Sequence, residues 1–150
     1  MVVKIPSKDD PRVFKHTLTV TLSDTNAEGT VSHDAFARFF GHVRELFALH
    51  YIPGFAEAVA TRAYILTTHV THYEFRMTPK FGDQLTIIMW ISSYAAASFV
   101  LSAAFLIEGD EKRLCATAYH EIVFTDPKTG KPQKFPALFR ELLERFCIKD

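Results

Sequence analysis

The chain lacks a surplus of either charge. Lys and Arg number 17 and so do Asp and Glu, so no basic field exists to hold nucleic acid or an anionic membrane surface, and neither is expected as a partner. Cysteine is scarce: Cys115 and Cys147 lie far apart, without a CxxC or a metal-ligand spacing. That excludes a disulfide framework and fits a reducing compartment in which thiols serve as small apolar residues. No uninterrupted apolar segment is present near the start, where MVVKIPSKDDPR is polar and proline-broken. A secretory signal and a membrane span are therefore not expected, and the location expected is cytoplasmic. There is no Gly-rich phosphate loop, no G-x-S-x-G elbow and no Ser-His-Asp order, so serine nucleophile chemistry has no support. Neither a metal nor a cofactor is expected.

What the chain does have is apolar bulk. In 150 residues, 48% are hydrophobic and 14 are Phe, enough to bury a core in one domain, 1–150. VFKHTLTVTL (13–22) alternates as a half-buried strand does, and SDTNAEG follows with turn residues. From Ala63 onward AYILTTHVTHYEF, QLTIIMWISSYAA, SFVLSAAFLIE and RLCATAYHEIVFT are rich in β-branched and aromatic residues. RMTPKFGD, a break near Ala97, GDEK and DPKTGKP separate or end these runs as loops. FPALFRELLERF (135–146) reads as a closing helix, with Pro136 near its first turn and Leu138, Leu142 and Leu143 on one side. The pattern predicts an α+β layout: a five-stranded antiparallel sheet around one long helix inserted after the first strand, a hot-dog arrangement. Long apolar strands leave a sheet edge that pairing between subunits would cover, so a homodimer or a homotetramer built as a dimer of dimers is expected, with the site at the interface.

Residues 32–51 form the long helix. At roughly 100° per residue, Phe36, Phe39, Phe40, Val43, Leu46 and Phe47 share the core sector. Asp34, Arg38, His42 and Glu45 share the solvent sector. Arg44 belongs to neither; it projects from a narrow stripe with His33, Ala37, Gly41 and Ala48, where small residues let a backbone or ligand approach. A cation there needs an anionic or carbonyl partner. One reading is a ligand site; the other is a structural Arg44 that snorkels or pairs with a carboxylate such as Asp24. Asn26 carries two readings as well, a site amide or the side chain of an Asx-turn. His33 at the helix start reads as a solvated terminal residue with Ser32 or Thr30 as cap.

Other residues invite chemistry that their positions oppose. His69 and His72 stand three apart on a strand and point to opposite faces, against a shared metal. Glu45 or Glu57 offers a carboxylate on or after the helix, but Glu45 falls in the solvent sector. Cys115 sits among alternating apolar residues and reads as core.

DTNAEGTVSHDAFARFFGHVRELF (24–47) together with YEFRMTPKFGDQLTI resembles the hydroxybenzoyl-coenzyme A type of hot-dog thioesterase. That family runs Asp-x-Asp-x-x-Gly-x-Val before its helix, and its second aspartate activates water or attacks the thioester carbon. Asp24, Gly29 and Val31 match; Asn26 stands at the catalytic aspartate. The loop TN, followed eighteen residues later by Arg44 and then Glu45, resembles the thioesterases of enediyne polyketide biosynthesis more closely. Those have an aromatic residue, usually tyrosine, ten places after the Asn, where this chain has Phe36.

The resemblance implies an acyl-thioester hydrolase without a catalytic carboxylate. Asn26 and Arg44 are its implied polar groups, and His33, Phe36, Phe40 and Gly41 its implied substrate contacts. The implied substrate is a long β-keto polyene chain on an acyl carrier protein, with coenzyme A as the other carrier. Backbone N–H groups near His33 would face the oxyanion, Asn26 would orient water and Arg44 would hold the β-keto or carboxylate end. Loss of the base forfeits about 10² to 10⁴ in rate, so a slow enzyme is expected. The other functional class is a non-catalytic acyl-binding or interaction protein on the same fold.

Overall fold

The computed structural model describes residues 4–109 and 113–149. Five strands and three α-helices follow one another as β1 (Phe14–Thr19), α1 (His33–Tyr51), α2 (Phe55–Thr61), β2 (Ile65–Phe75), β3 (Gln84–Tyr94), β4 (Ser98–Ile107), β5 (Arg113–Thr125) and α3 (Ala137–Phe146). The strands form one sheet in the order β1-β3-β4-β5-β2, every pair antiparallel. This is the hot-dog architecture: α1 lies along the inner face of a sheet that curls around it. Of the GDEK loop, residues 110–112 lie outside the described residues.

The inner face is built from the expected helix sector. Phe36, Phe39, Phe40, Val43 and Phe47 are buried, with Leu85, Ile87, Met89, Ile91, Leu101 and Phe105 of β3 and β4 around them. Phe36 meets Phe105 edge-on at 5.1 Å, and Phe40 lies against the same ring at 6.5 Å. Truncating a ring in such a core costs about 3–5 kcal/mol. A smaller cluster of Ile88, Trp90 and Ala104 faces the other way, packed by Ile5, Val13, Leu114 and Ile148.

Three details depart from expectation. A short helix, α2, follows Gly54, whose φ of 71° glycine adopts without strain; it has no buried residue. At the closing helix, Pro136 caps the first turn from outside, and Phe139, Leu143 and Phe146 make the buried face while Leu138 is 59% exposed. The aromatic positions win because they reach α1 and β5, where Phe146 meets Phe47 and Phe139 meets Phe124. Finally, β2 is an edge strand separated from β3 by the rest of the sheet.

The β2 edge is irregular at one point that matters below. Its register with β5 shifts between Thr68 and Val70, so His69 is the extra residue of a bulge. Alternation would put Thr68 and Tyr73 on opposite faces. The bulge resets it and turns both toward α1.

Candidate active site

Arg44 leaves α1 toward β2 and β5. Its Nη1 donates to Thr68 Oγ1 at 3.1 Å and to His120 Nδ1 at 3.0 Å. The Nε2 of His120 lies 2.7 Å from the Tyr73 hydroxyl. The imidazole rests on Phe40, with ring centroids 4.1 Å apart and planes 11° apart. Three elements of distant sequence, α1, β2 and β5, thus converge on one polar chain that is buried at His120, half-buried at Arg44 and Tyr73 and exposed at Thr68. Among the described residues Arg44 has no carboxylate within ion-pair distance; Asp24 pairs with Arg38 instead, at 3.5 Å. The expected Arg44–Asp24 alternative is therefore corrected, while Arg38 lies in the solvent sector as expected, its side chain 53% exposed.

The electrostatics follow from burial. Desolvation lowers the pKa of Arg44 from the ordinary guanidinium value. Burial first, and the neighbouring guanidinium second, push His120 down to about 4, so the ring is neutral near pH 7. Burial pushes Tyr73 up to about 12, against a smaller downward pull from Arg44, so its phenol stays protonated.

Beside this polar chain opens a cavity of about 720 Å³. Arg44 lines it with Phe47, Ile52, Val59, Leu66, Ile122, Leu142 and other apolar side chains; Glu45 and Arg62 add the remaining charge. Leu66 and Ile122 stand one alternation step from Thr68 and His120 on their strands, so Arg44 marks where the apolar cavity meets the polar chain. That size and lining suit a small-molecule or acyl ligand. A second cavity of about 340 Å³ lies between α2 and α3, and Ile52, Tyr64, Phe139 and Leu142 line both.

The other expected site residues fall elsewhere. Asn26 is exposed, and its Oδ1 accepts from Glu28 N at 3.0 Å, Thr30 N at 3.4 Å and Thr30 Oγ1 at 3.1 Å. That is an Asx-type turn, completed by Gly29 at a φ of 76°. Asp24 is structural: its carboxylate accepts from Thr21 N at 2.9 Å, and its carbonyl accepts from Ser32 N at 3.1 Å. His33 is exposed and stacks on Phe75 at 4.1 Å. Ser32 occupies the cap position of α1 without a side-chain cap bond. Phe36 is a core ring, 1% exposed. Gly41 has open space where a Cβ would point, so nothing in the described chain uses its small size. From His33 to Arg44 the helix rises about 16 Å. Within one protomer Asn26, which precedes the helix, and Arg44 are thus separated along α1.

Sequence reasoning missed Thr68, Tyr73 and His120. A usable signal was His120 itself, a lone imidazole in the row Ala116, Ala118, His120, Ile122, Phe124 on an otherwise apolar strand face. His69 and His72 remain apart from that chain: His72 stacks on Tyr119 at 5.0 Å. Cys115 is core; its Sγ donates to the Phe105 carbonyl at 3.1 Å, and burial pushes the thiol up to about 12.

A long helix wrapped by an antiparallel sheet, with an apolar cavity lined at one place by a half-buried cation, defines the class of hot-dog acyl-thioester proteins. The chain belongs to the thioesterase-like superfamily, whose family model matches residues 20–146. No curated sequence matches it. Among solved structures it is similar to the dynemicin thioesterase, characterised for polyene binding, with a TM-score of 0.81 and 22% identity over 91% of this chain and 98% of that one. It is also similar to 4-hydroxybenzoyl-CoA thioesterase from Pseudomonas sp. strain CBS-3, with a TM-score of 0.78 and 20% identity over 87% and 99% of the two chains. A 1,4-dihydroxy-2-naphthoyl-CoA thioesterase from Synechocystis gives 0.80 and 18% over 87% and 95%. Among the described residues no helix is long and apolar enough to cross a membrane.

Proposed function

We propose that this thioesterase hydrolyses a long-chain, β-oxygenated acyl thioester carried by an acyl carrier protein or coenzyme A, and that it sits in the enediyne polyketide branch of the superfamily. The observation that carries this is Arg44, a half-buried guanidinium with no carboxylate partner among the described residues, lining a cavity of about 720 Å³. The apolar walls take the chain. The unengaged nitrogens of Arg44, Nη2 and Nε, face a carbonyl or carboxylate oxygen. Water adds to the thioester carbon, the C–S bond breaks, the sulfur leaves as a thiol and a carboxylic acid remains. A β-keto acid released this way loses carbon dioxide without further help.

The reading also takes the active unit to be a dimer. Pairing β2 antiparallel with β2 of a second copy sets the Phe75 end of one strand beside the Ile65 end of the other. That brings the α1 start and the Asn26 turn of one protomer toward the cavity of its partner. The free first-turn N–H groups near His33 then serve the oxyanion, and the Asn26 amide N–H orients water. Engagement of Asn26 Oδ1 in its turn favours the second reading, a non-catalytic acyl-binding protein.

Turnover and melting of Arg44→Ala and Arg44→Lys separate the two readings. Arg44→Ala should cut turnover by about 10² to 10³. Arg44→Lys should recover part of it, because an ammonium lacks the planar fork. Arg140, an exposed α3 residue paired with Glu144 at 3.6 Å, is the control. A destabilised Arg44→Ala protein with full specific activity would sink the catalytic reading, as would a parent protein that binds acyl thioesters without turning them over.

A further inference from the structure

We infer that His120 is the positioning residue of this site: it is the obligate acceptor for Arg44, which sets its tautomer while Tyr73 anchors the far side of the ring, and the pair directs the rest of the guanidinium into the acyl cavity. The inference rests on the hydrolase reading above. A guanidinium nitrogen can only donate. With Arg44 Nη1 3.0 Å from His120 Nδ1, Nδ1 must offer its lone pair. The proton of the neutral ring therefore sits on Nε2 and points at the Tyr73 oxygen 2.7 Å away. The other tautomer would set N–H against N–H. Tyr73 then accepts from the ring, and its own proton remains available to a neighbouring acceptor.

The geometry leaves the ring little freedom. Phe40 covers one face, and His120 is 4% exposed. Both Nη1 hydrogens of Arg44 are used, one by His120 and one by Thr68, so Nη1 is pinned while Nη2 and Nε make no hydrogen bond among the described residues, on a side chain that lines the cavity. The bulge at His69 makes this possible by turning Thr68 and Tyr73 to the same side. The charged or titratable groups facing the ring are Arg44 from α1 and Tyr73 from β2. From β4 its register partner is Leu101, which is apolar, and along β5 Tyr119 and Glu121 alternate to the other face. A protonated imidazole would therefore both remove the acceptor and place a second cation against Arg44.

The test combines imidazole nitrogen NMR with pH-dependent hydrolysis of decanoyl-coenzyme A. The proteins are the parent, His120→Asn, His120→Phe and Tyr73→Phe. The parent spectrum near neutral pH should show an uncharged ring with its proton on Nε2. His120→Phe keeps the ring on Phe40 but not the acceptor, and should lose about 10² in kcat with a smaller change in KM. His120→Asn, which offers Oδ1 near the place of Nδ1, should recover most of kcat and abolish the acidic limb of the parent profile. In Tyr73→Phe the ring should keep its proton on Nε2, because Arg44 alone sets the tautomer, while that proton loses its acceptor. A proton on Nδ1 in the parent, a folded His120→Phe protein with parental kcat, or an acidic limb that survives in His120→Asn would overturn the inference. If the parent binds decanoyl-coenzyme A without hydrolysing it, the hydrolase reading fails. The positioning role is then read from affinity, which should fall about tenfold in His120→Phe and hold in His120→Asn; equal affinities would overturn it.

Discussion

The imidazole of His120 lies flat on the ring of Phe40, centroids 4.1 Å apart, so any charge on it is shut off from water. Its pKa is pushed to about 4 in the folded chain, against about 6.5 when unfolded. As pH falls through that interval the unfolded chain takes up a proton that the folded chain refuses. Stability is therefore full above about pH 6.5, is lost as pH falls toward 4, and the loss reaches up to about 3 kcal/mol. Urea melts at neutral and acidic pH should show His120→Asn losing less than the parent. Parallel losses would mean the ring charges freely.

Asn26 stands where the related pattern has an aspartate, yet its Oδ1 anchors a turn. Asn26→Asp preserves those acceptors and adds a carboxylate. It should keep the fold and raise hydrolysis of simple acyl-coenzyme A esters by up to about 10². Asn26→Ala should cost about 1 kcal/mol through the lost turn bonds. Were turnover of both variants identical to the parent's on every thioester tried, Asn26 would be a turn former alone.

Leu142 belongs to the wall that separates the two cavities. Leu142→Ala should join them at a cost of about 2 kcal/mol and shift preference from hexanoyl- toward palmitoyl-coenzyme A. An unchanged ratio of kcat/KM for the two esters would show that the acyl chain ends before this wall.

At one of the two edges of the sheet, Ile65 and Phe75 are 39% and 40% exposed at the two ends of β2. Pairing of that edge predicts a particle of two or four times 17.0 kDa in sedimentation at micromolar concentration. A stable monomer would remove the argument that one protomer's Asn26 serves the other's cavity.

Periodicity alone was enough to place β2 to β5 and α1 almost at their observed bounds, because alternation and the 3.6-residue repeat are local properties that burial of one face enforces. It also singled out Arg44, since a cation off both the core and the solvent sectors is visible on a helical wheel. It misassigned Leu138 because α3 offers two apolar rows, and only contact with Phe47 and Phe124 selects between them. Likewise the sequence offered Asp24 to Arg44, whereas the loop that ties Asp24 to Ser32 sets its carboxylate beside Arg38. The partners of Arg44 were decided by tertiary structure. Thr68, Tyr73 and His120 meet it through the β2–β5 register and a one-residue bulge at His69, and a bulge that reverses which residues face the helix leaves no mark in the apolar pattern of either strand.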